Sequence, residues 1–385
     1  MVNLYVTKKC SELISGDIVL HPVFRSDGLL FIKKFKVLTN SVIMHLKKQF
    51  PAYYPFIVVE SAENLNEFLI KKIEQSNAYL VEVEKIVEIH QQFIHNHLSL
   101  KLYIEDKNTI RANVEFDTHN HKINFLESLG LELSIPIGNQ LETIIDSPRI
   151  LSRAETINRK LNDLLKSDNS LQALYNRVND FHDVLLLHSI NSTFITFMIG
   201  LTLELSDEEM IDLTLASLFA DIGFTEFSKE DFAAYLNNGK SEKKIIDHLK
   251  KSIEILSSSA YCRKKSVIFG VYDHHEQYDG IGSPLGKKGE EIHLYGRIIS
   301  IAQHYDELVG GYVKEKSIMS FEAIKELWNQ RGVKIDPAII RIFIDRTNIL
   351  KVGEQIQLSN IKKGVIIGFE DYIHNPIEPI IRLEN

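Results

Sequence analysis

The sequence of 385 residues contains two cysteines, Cys10 and Cys262. Two distant thiols exclude a disulfide framework and a cysteine-type zinc site, and suit a reducing, cytoplasmic compartment. Basic residues are outnumbered, with 44 Lys and Arg against 52 Asp and Glu and a formal net charge of -8. No global positive surface therefore recruits nucleic acid, although a local basic pocket stays compatible with this balance. No basic segment leading into an apolar run and a small-residue cleavage site opens the chain, so secretion is not expected. A Gly-rich strand-to-helix loop of the dinucleotide or P-loop kind is missing too, as are internal repeats and low-complexity tracts. Charge-free apolar runs of membrane length are represented by Val184 to Leu203. That run carries His188, Ser189, Asn191, Ser192, Thr193, Thr196 and Thr202, which are costly against lipid. A helix buried on all sides of a bundle is expected there, and no membrane span.

What is present reads as a mainly α protein in three parts. Residues 1–148 form a small N-terminal α/β region for regulation or dimerisation. In it Val2 to Val6 is a strand, Asp17 to Phe24 and Leu29 to Phe35 form a hairpin around Ser26, Asp27 and Gly28, Thr39 to Phe50 is a helix and Phe56 to Val59 a closing strand. Helical spacing runs from Ala62 to about Gln92, and residues 99–146 alternate too weakly to assign. Pro148 marks a boundary, and 149–347 has helical period throughout. Residues 348–385 form a short β extension, with strands at Gln355 to Leu358, Gly364 to Phe369 and Pro379 to Leu383, packed as a small sheet against the helical core.

Chemistry concentrates in the stretch from Asp273 to Gly286, DHHEQYDGIGSPLG. Adjacent histidines point about 100° apart on a helix, so both serve one site only near a helix end or across two metals. Ser266 to Tyr272 reads as the preceding helix, whose C-terminus favours a cation, and Gly280 and Gly282 permit the sharp turn that follows. The alternative is a surface helix end followed by a turn. Ser206 and Glu209 have capping-box spacing, which starts a helix running toward Asp221. A carboxylate closing so apolar a helix must be hydrogen-bonded, paired or on a metal, or else exposed by a turn at Gly223. His188 and His248 each read as a satisfied core histidine when taken alone. With Asp221, His274 and His275 they make a ligand set for zinc, manganese or iron that facing helices of a bundle can gather. His90, His95, His97, His119 and His121 lack acidic or thiol partners at a helpful spacing and read as solvent-exposed.

The helical order resembles the HD-GYP family of the HD superfamily over about residues 150 to 350. So do HSIN at His188, DIG at Asp221, HHEQYDGIGSPLG, GEEIHLYGRIISIA and RGVKIDPAII. SGDIVLHPVFRSDGLLF and LKVGEQIQLSNIKKGVII are similar to extensions of some members. The resemblance implies an all-α core with a two- or three-metal site that hydrolyses cyclic di-GMP with metal-activated water. Departures accompany the match. The family's His-Asp pair falls on Ala220 and Asp221, its phosphate-gripping lysine on Phe224, its closing aspartate ligand on Gln303 with Asp306 at another acidic position, and its signature tyrosine on Ser283. An expected arginine falls near Tyr312, with Lys314 and Lys316 as unaligned substitutes, and an acidic ligand of trinuclear members falls on Val184, with Asp183 one residue out of phase.

By the family's pattern one metal uses the positions of His188, Ala220, Asp221 and Gln303, where alanine offers no lone pair and a Gln carbonyl is a weak neutral ligand. The neighbouring metal uses Asp221, His248, His274 and His275, all present. The resemblance therefore implies one divalent metal (iron, manganese or zinc) per chain, or none, with Arg297, Asp279 and Lys314 as substrate contacts. Three readings stand: a hydrolytically impaired or inactive binding module of cyclic di-GMP signalling, a working phosphodiesterase with altered ligands, and a structural scaffold. The partners expected are protein partners and cyclic di-GMP, with a homodimer as an option.

Overall fold

The computed structural model describes residues 4–71 except 22, 25–29, 33 and 34; 73, 76, 78–83, 85, 86 and 89; 148–311 except 239 and 240; 317, 318 and 320–346; and 352, 353, 355–357 and 363–383. The residues from 99 to 146, the five histidines from His90 to His121, and Tyr312, Lys314 and Lys316 lie outside them. The chain divides into two compact units, one taking in positions up to Leu131 and those from Leu350 on, the other Glu132–Ile349. The C-terminal strands thus group with the N-terminal unit and not with the helices.

In the first unit, β1 (Val6–Lys9), β2 (Ile18–Val19), β5 (Lys36–Val37) and β6 (Pro55–Val59) form an antiparallel sheet in the order β1-β6-β2-β5. The first strand begins at Val6, four residues beyond the start expected from sequence. The hairpin expected around Ser26 is the pair β3 (Val23–Phe24) and β4 (Leu30–Ile32). Helix α1 (Asn40–Gln49) is capped by Thr39, whose hydroxyl accepts from Val42 N at 3.3 Å. The helical spacing after Ala62 is broken in two: α2 (Ala62–Ile70) starts on the Ser61 cap, and a second helical stretch starts on Ser76, whose hydroxyl accepts from Tyr79 N. Both stretches face the same core, where Phe68 and Tyr79 pack on Ile18, Leu20, Ile57 and Val59. Tyr79 satisfies its hydroxyl on Leu20 O at 3.0 Å. The last strands, β7 (Gln355–Gln357), β8 (Lys363–Phe369) and β9 (Pro379–Leu383), form an antiparallel sheet of their own.

The second unit is a helical bundle of α3 (Pro148–Ser167), α4 (Asn169–Phe181), α5 (Asp183–Thr202), α6 (Asp207–Leu218), α7 (Lys229–Asn238), α8 (Glu242–Leu256), α9 (Lys265–Asp273), α10 (Leu294–Gly310), α11 (Ser320–Asn329) and α12 (Pro337–Arg346). Helix α5 is the central one. It is long and apolar enough to cross a membrane by length and composition, yet every residue from Val184 to Leu201 is buried within the unit. Two of its buried hydroxyls are satisfied within the helix, as Thr193 donates to Ser189 O at 2.6 Å and Thr196 to Ser192 O at 2.6 Å. Helices α6 and α10 pack against it, and α9 packs on both of these. The start of α6 is fixed by the capping box in which Ser206 Oγ accepts from Glu209 N and the Glu209 carboxylate accepts from Ser206 N at 2.8 Å.

Candidate metal centre

Asp221 is delivered to the centre by a single tight turn. After α6 ends, Asp221 precedes a 3-10 turn, Ile222–Glu226, that runs directly against α8. Gly223 makes this approach feasible, because a Cβ there would stand 2.0 Å from His248 O and 2.7 Å from Ser252 N. Instead Gly223 N donates to Ser252 Oγ at 2.9 Å, and that hydroxyl donates to Ala220 O at 3.0 Å. Ser252 therefore binds the Asp221 turn to α8 one helical turn after His248. The paired histidines arrive at a helix end: α9 closes at Asp273, His274 is its C-cap, and His275 follows. Glu276, buried beside them, accepts from Leu285 N at 2.7 Å and Lys287 N at 3.1 Å and so folds the glycine-rich loop back on the histidines.

Asp221, His248, His274 and His275 come together with their ligand atoms all within 4.8 Å of one another. His248 Nδ1 lies 3.2 Å from Lys244 O, and His274 Nδ1 lies 2.6 Å from Val271 O. A carbonyl only accepts, so in both rings Nδ1 carries the proton and Nε2 a lone pair. These lone pairs face Asp221 Oδ1 at 3.4 Å and 3.6 Å. The Nε2 atoms of His248 and His274 are buried without hydrogen-bond partners. Lone pairs converging on a carboxylate oxygen out of water are expensive unless a cation lies among them. One carboxylate and three imidazoles are the donor set of a divalent transition metal, and the carbonyl contacts orient the rings as outer partners of metal-bound histidines do. Burial lowers the His248 pKa against the opposing pull of Asp221, which keeps the ring in its neutral, ligating form.

The other oxygen of Asp221 has a different environment. Gln303 Nε2 donates to Asp221 Oδ2 at 2.6 Å. His188 Nε2 lies 3.8 Å from the same oxygen, and its Nδ1 is 2.7 Å from Asp306 Oδ2. Burial would lower the His188 pKa, yet the Asp306 bond and the charges of Asp306, Asp221 and Glu307 raise it. Ala220 is fully buried and supplies no polar atom here. His188 thus lies beside the four-residue group, held by hydrogen-bonded charge.

Phe224, the residue after Gly223, lies flat on the His248 ring with centroids 4.3 Å apart and planes 9° apart. Beside it a cavity of about 30 Å³ opens onto His188, Asp221 and Glu307. Of the remaining residues singled out from sequence, Arg297 donates to Asp336 Oδ2 at 2.7 Å and to Ile292 O at 3.1 Å. Asp279 accepts from Ile281 N at 3.0 Å, and Ser283 N donates to His275 O at 3.1 Å. Gln303, Asp306 and Phe224 were singled out in sequence as family positions, but their contacts were not: the Gln303 amide on Asp221, the Asp306 carboxylate on His188, and the Phe224 stack on His248. Asp306 lies 118 positions from His188 and Gln303 lies 82 from Asp221, so no local spacing reports either contact.

Residues 161–339 match the family described as HD domain. The chain is 27% identical over 211 residues to a cyclic di-GMP phosphodiesterase of Pseudomonas aeruginosa, covering 53% of this chain and 49% of the relative. It is 25% identical over 206 residues to cyclic di-GMP phosphodiesterase PdeB of Borreliella burgdorferi, covering 51% of each. The chain spans about half the length of these curated relatives. Among solved structures, an HDG"Y"P protein from Bdellovibrio bacteriovorus aligns with 89% of this chain and 98% of its own, at 14% identity and a TM-score of 0.37.

Proposed function

We propose that this chain, whose residues 161–339 match the HD domain, is a member of the HD-GYP family of HD-domain proteins and that its helical unit is a module of cyclic di-GMP signalling. In this reading it holds one divalent metal, is impaired or inactive in hydrolysis, and acts through what it binds. The observation that carries the reading is the division of labour on Asp221. Oδ1 faces the imidazole nitrogens of His248 and His274, while Oδ2 accepts the Gln303 amide. An oxygen engaged by a neutral donor at 2.6 Å is less available to bridge two cations, and with Ala220 the second position has lost its imidazole as well.

A metal held by Asp221, His248, His274 and His275 would supply Lewis-acid charge beside a phosphodiester. The protein's own groups around it do little to complete phosphoryl transfer, which depends on positioning and on charge that meets the developing negative charge. Phe224 presents an aromatic face where a lysine would grip phosphate. Asp306 and Glu307 flank His188, so the cavity is anionic where an anionic substrate would have to approach. Arg297 is already committed to Asp336. The metal is iron, manganese or zinc by its nitrogen-rich donor set. The unit that carries the N- and C-terminal strands is proposed to be regulatory, through protein partners or a second copy of the chain.

The test is elemental mass spectrometry of protein purified without chelator, with cyclic di-GMP hydrolysis and binding followed on the same preparation. One metal per chain without turnover supports the binding module. Two metals with turnover would replace it with a phosphodiesterase of altered ligands, and a chain without metal or nucleotide binding would leave a scaffold.

A further inference from the structure

How a metal is used depends on who can reach it, and here the His248 side of the four-residue group is covered by aromatic side chains. Phe224 covers the His248 ring, and it is itself covered by α7. Phe232 and Tyr235, the buried residues of that helix among those described, pack on Phe224 at centroid distances of 5.2 Å and 4.7 Å. Phe232 also reaches Phe181 at 5.5 Å and His182 at 5.2 Å, where α4 passes into α5. The opening left between Val184, Leu185, Phe224, Phe232 and Leu236 is the cavity of about 30 Å³. That holds about one or two waters, whereas pockets for nucleotide-sized ligands begin at about 300 Å³. The Nε2 atoms of His248, His274 and His275 are all shielded from solvent.

Helix α7 is also anchored in a way that lets it act as a unit. Lys229, Glu230, Asp231 and Asn237 are exposed, and its attachment rests on Phe232 and Tyr235, on half-buried Ala233, Ala234 and Leu236, and on polar contacts at its start. There Ser228 Oγ accepts from Asp231 N at 3.0 Å, and Lys244 Nζ donates to Asp231 O at 2.9 Å. Metal sites that serve structure are closed by protein ligands, whereas catalytic sites keep a position open for water or substrate. Four protein ligands under an aromatic cover belong to the closed kind. We infer that α7 is an aromatic latch: Phe232 and Tyr235, pressing Phe224 onto His248, seal the metal centre, so that the metal is a structural bolt of the bundle that exchanges only when the latch opens. The inference rests on the proposed four-ligand site and adds the metal's role and the element that controls access to it.

The experiment uses the full chain loaded with zinc alone. Zinc release into excess chromogenic chelator is followed for the wild type and for Phe232→Ala, with thermal unfolding recorded before and after zinc removal. The wild type is expected to release zinc slowly and to melt at a lower temperature once stripped. Phe232→Ala should release it faster by on the order of tenfold or more, the size of effect expected from outer-shell groups that shield a metal, while binding the same amount of zinc at saturation. If that variant does not fold, Phe232→Leu should show a smaller acceleration in the same direction. Equal release rates in wild type and variant, or a melting temperature indifferent to zinc, overturn the latch while leaving the site intact. A chain that takes up no zinc overturns the four-ligand site itself, and the latch with it.

Discussion

The side-chain amide of Gln303 and the carboxylate of Asp221 meet at 2.6 Å inside the bundle, both residues being nearly inaccessible to solvent. The contact makes Gln303 more than a lost ligand, because it satisfies the oxygen that a second metal would otherwise neutralise. Gln303→Asp alone should therefore be costly. It removes a buried donor and sets two carboxylates against each other, a loss of about 1–3 kcal/mol in stability. The introduced carboxyl would have its folded pKa raised above the unfolded value by its neighbour and by burial, so the loss should be full at neutral pH and shrink as the pH falls. Thermal unfolding across pH measures this directly. Combining Gln303→Asp with Ala220→His should convert the repulsion into a ligand set and raise metal content toward two per chain. Ala220 is fully buried, so the added ring brings an overpacking cost of about 1–3 kcal/mol. A double variant that folds and still binds one metal would show that further ligands are missing.

The retained ligands make the complementary prediction. His274→Ala or His275→Ala should strip the chain of metal at equilibrium, since loss of a direct ligand exceeds the 10- to 100-fold affinity loss typical of an outer-shell change. His188→Ala should leave the metal content near its wild-type value, because His188 Nδ1 is directed to Asp306 and lies outside the four-residue group. Elemental analysis of the three proteins distinguishes a four-ligand site from any site that includes His188.

Much of this candidate centre was legible in the sequence because the four residues sit at places where local pattern speaks. The capping box at Ser206 and Glu209 fixes where α6 starts, and therefore that Asp221 falls just past its end. Adjacent histidines serve one site only near a helix end or across two metals, and α9 stops at Asp273, which places them at a helix end. The charge-free run of α5 carried polar side chains that are costly against lipid, and its residues are buried within the unit. What stayed hidden depends on contacts between distant elements. Arg297 was expected to meet substrate, and nothing in its neighbourhood announces Asp336, 39 positions away. In the first unit, helical spacing after Ala62 did not reveal the break, since both halves face one core; Ser76 caps the second start.

Arg297 and Asp336 supply a third test. Asp336 accepts from Arg297 on one oxygen, and the other accepts from Ala338 N at 2.8 Å and Ile339 N at 3.2 Å at the start of α12. Truncating the arginine leaves a buried carboxylate without its counter-charge. Because the guanidinium keeps some exposure, Arg297→Ala should cost about 2–4 kcal/mol, toward the lower part of the range for a broken buried pair. Chemical denaturation reads the loss, and metal content should not change. If stability is unaffected while cyclic di-GMP binding falls, Arg297 serves the ligand instead of the fold.

The sharpest structural prediction concerns Gly223. A Cβ at this position would stand 2.0 Å from a backbone oxygen of α8 and 2.7 Å from a backbone nitrogen of the same helix. Neither atom belongs to a flexible side chain that can swing away, so Gly223→Ala must push the Asp221 turn off α8. That movement breaks the Gly223 to Ser252 bond and separates Asp221 from His248 at once. The expected result is a loss of about 3 kcal/mol or more, above the usual range for an added methyl group, with metal binding lost in the fraction that still folds. Gly368 in β8 is the control: nothing lies within 4 Å of its virtual Cβ, so Gly368→Ala should stay within about 0.5 kcal/mol of wild type. Near-normal stability and metal content in Gly223→Ala would mean that the turn and α8 are not in the close contact from which the centre is built.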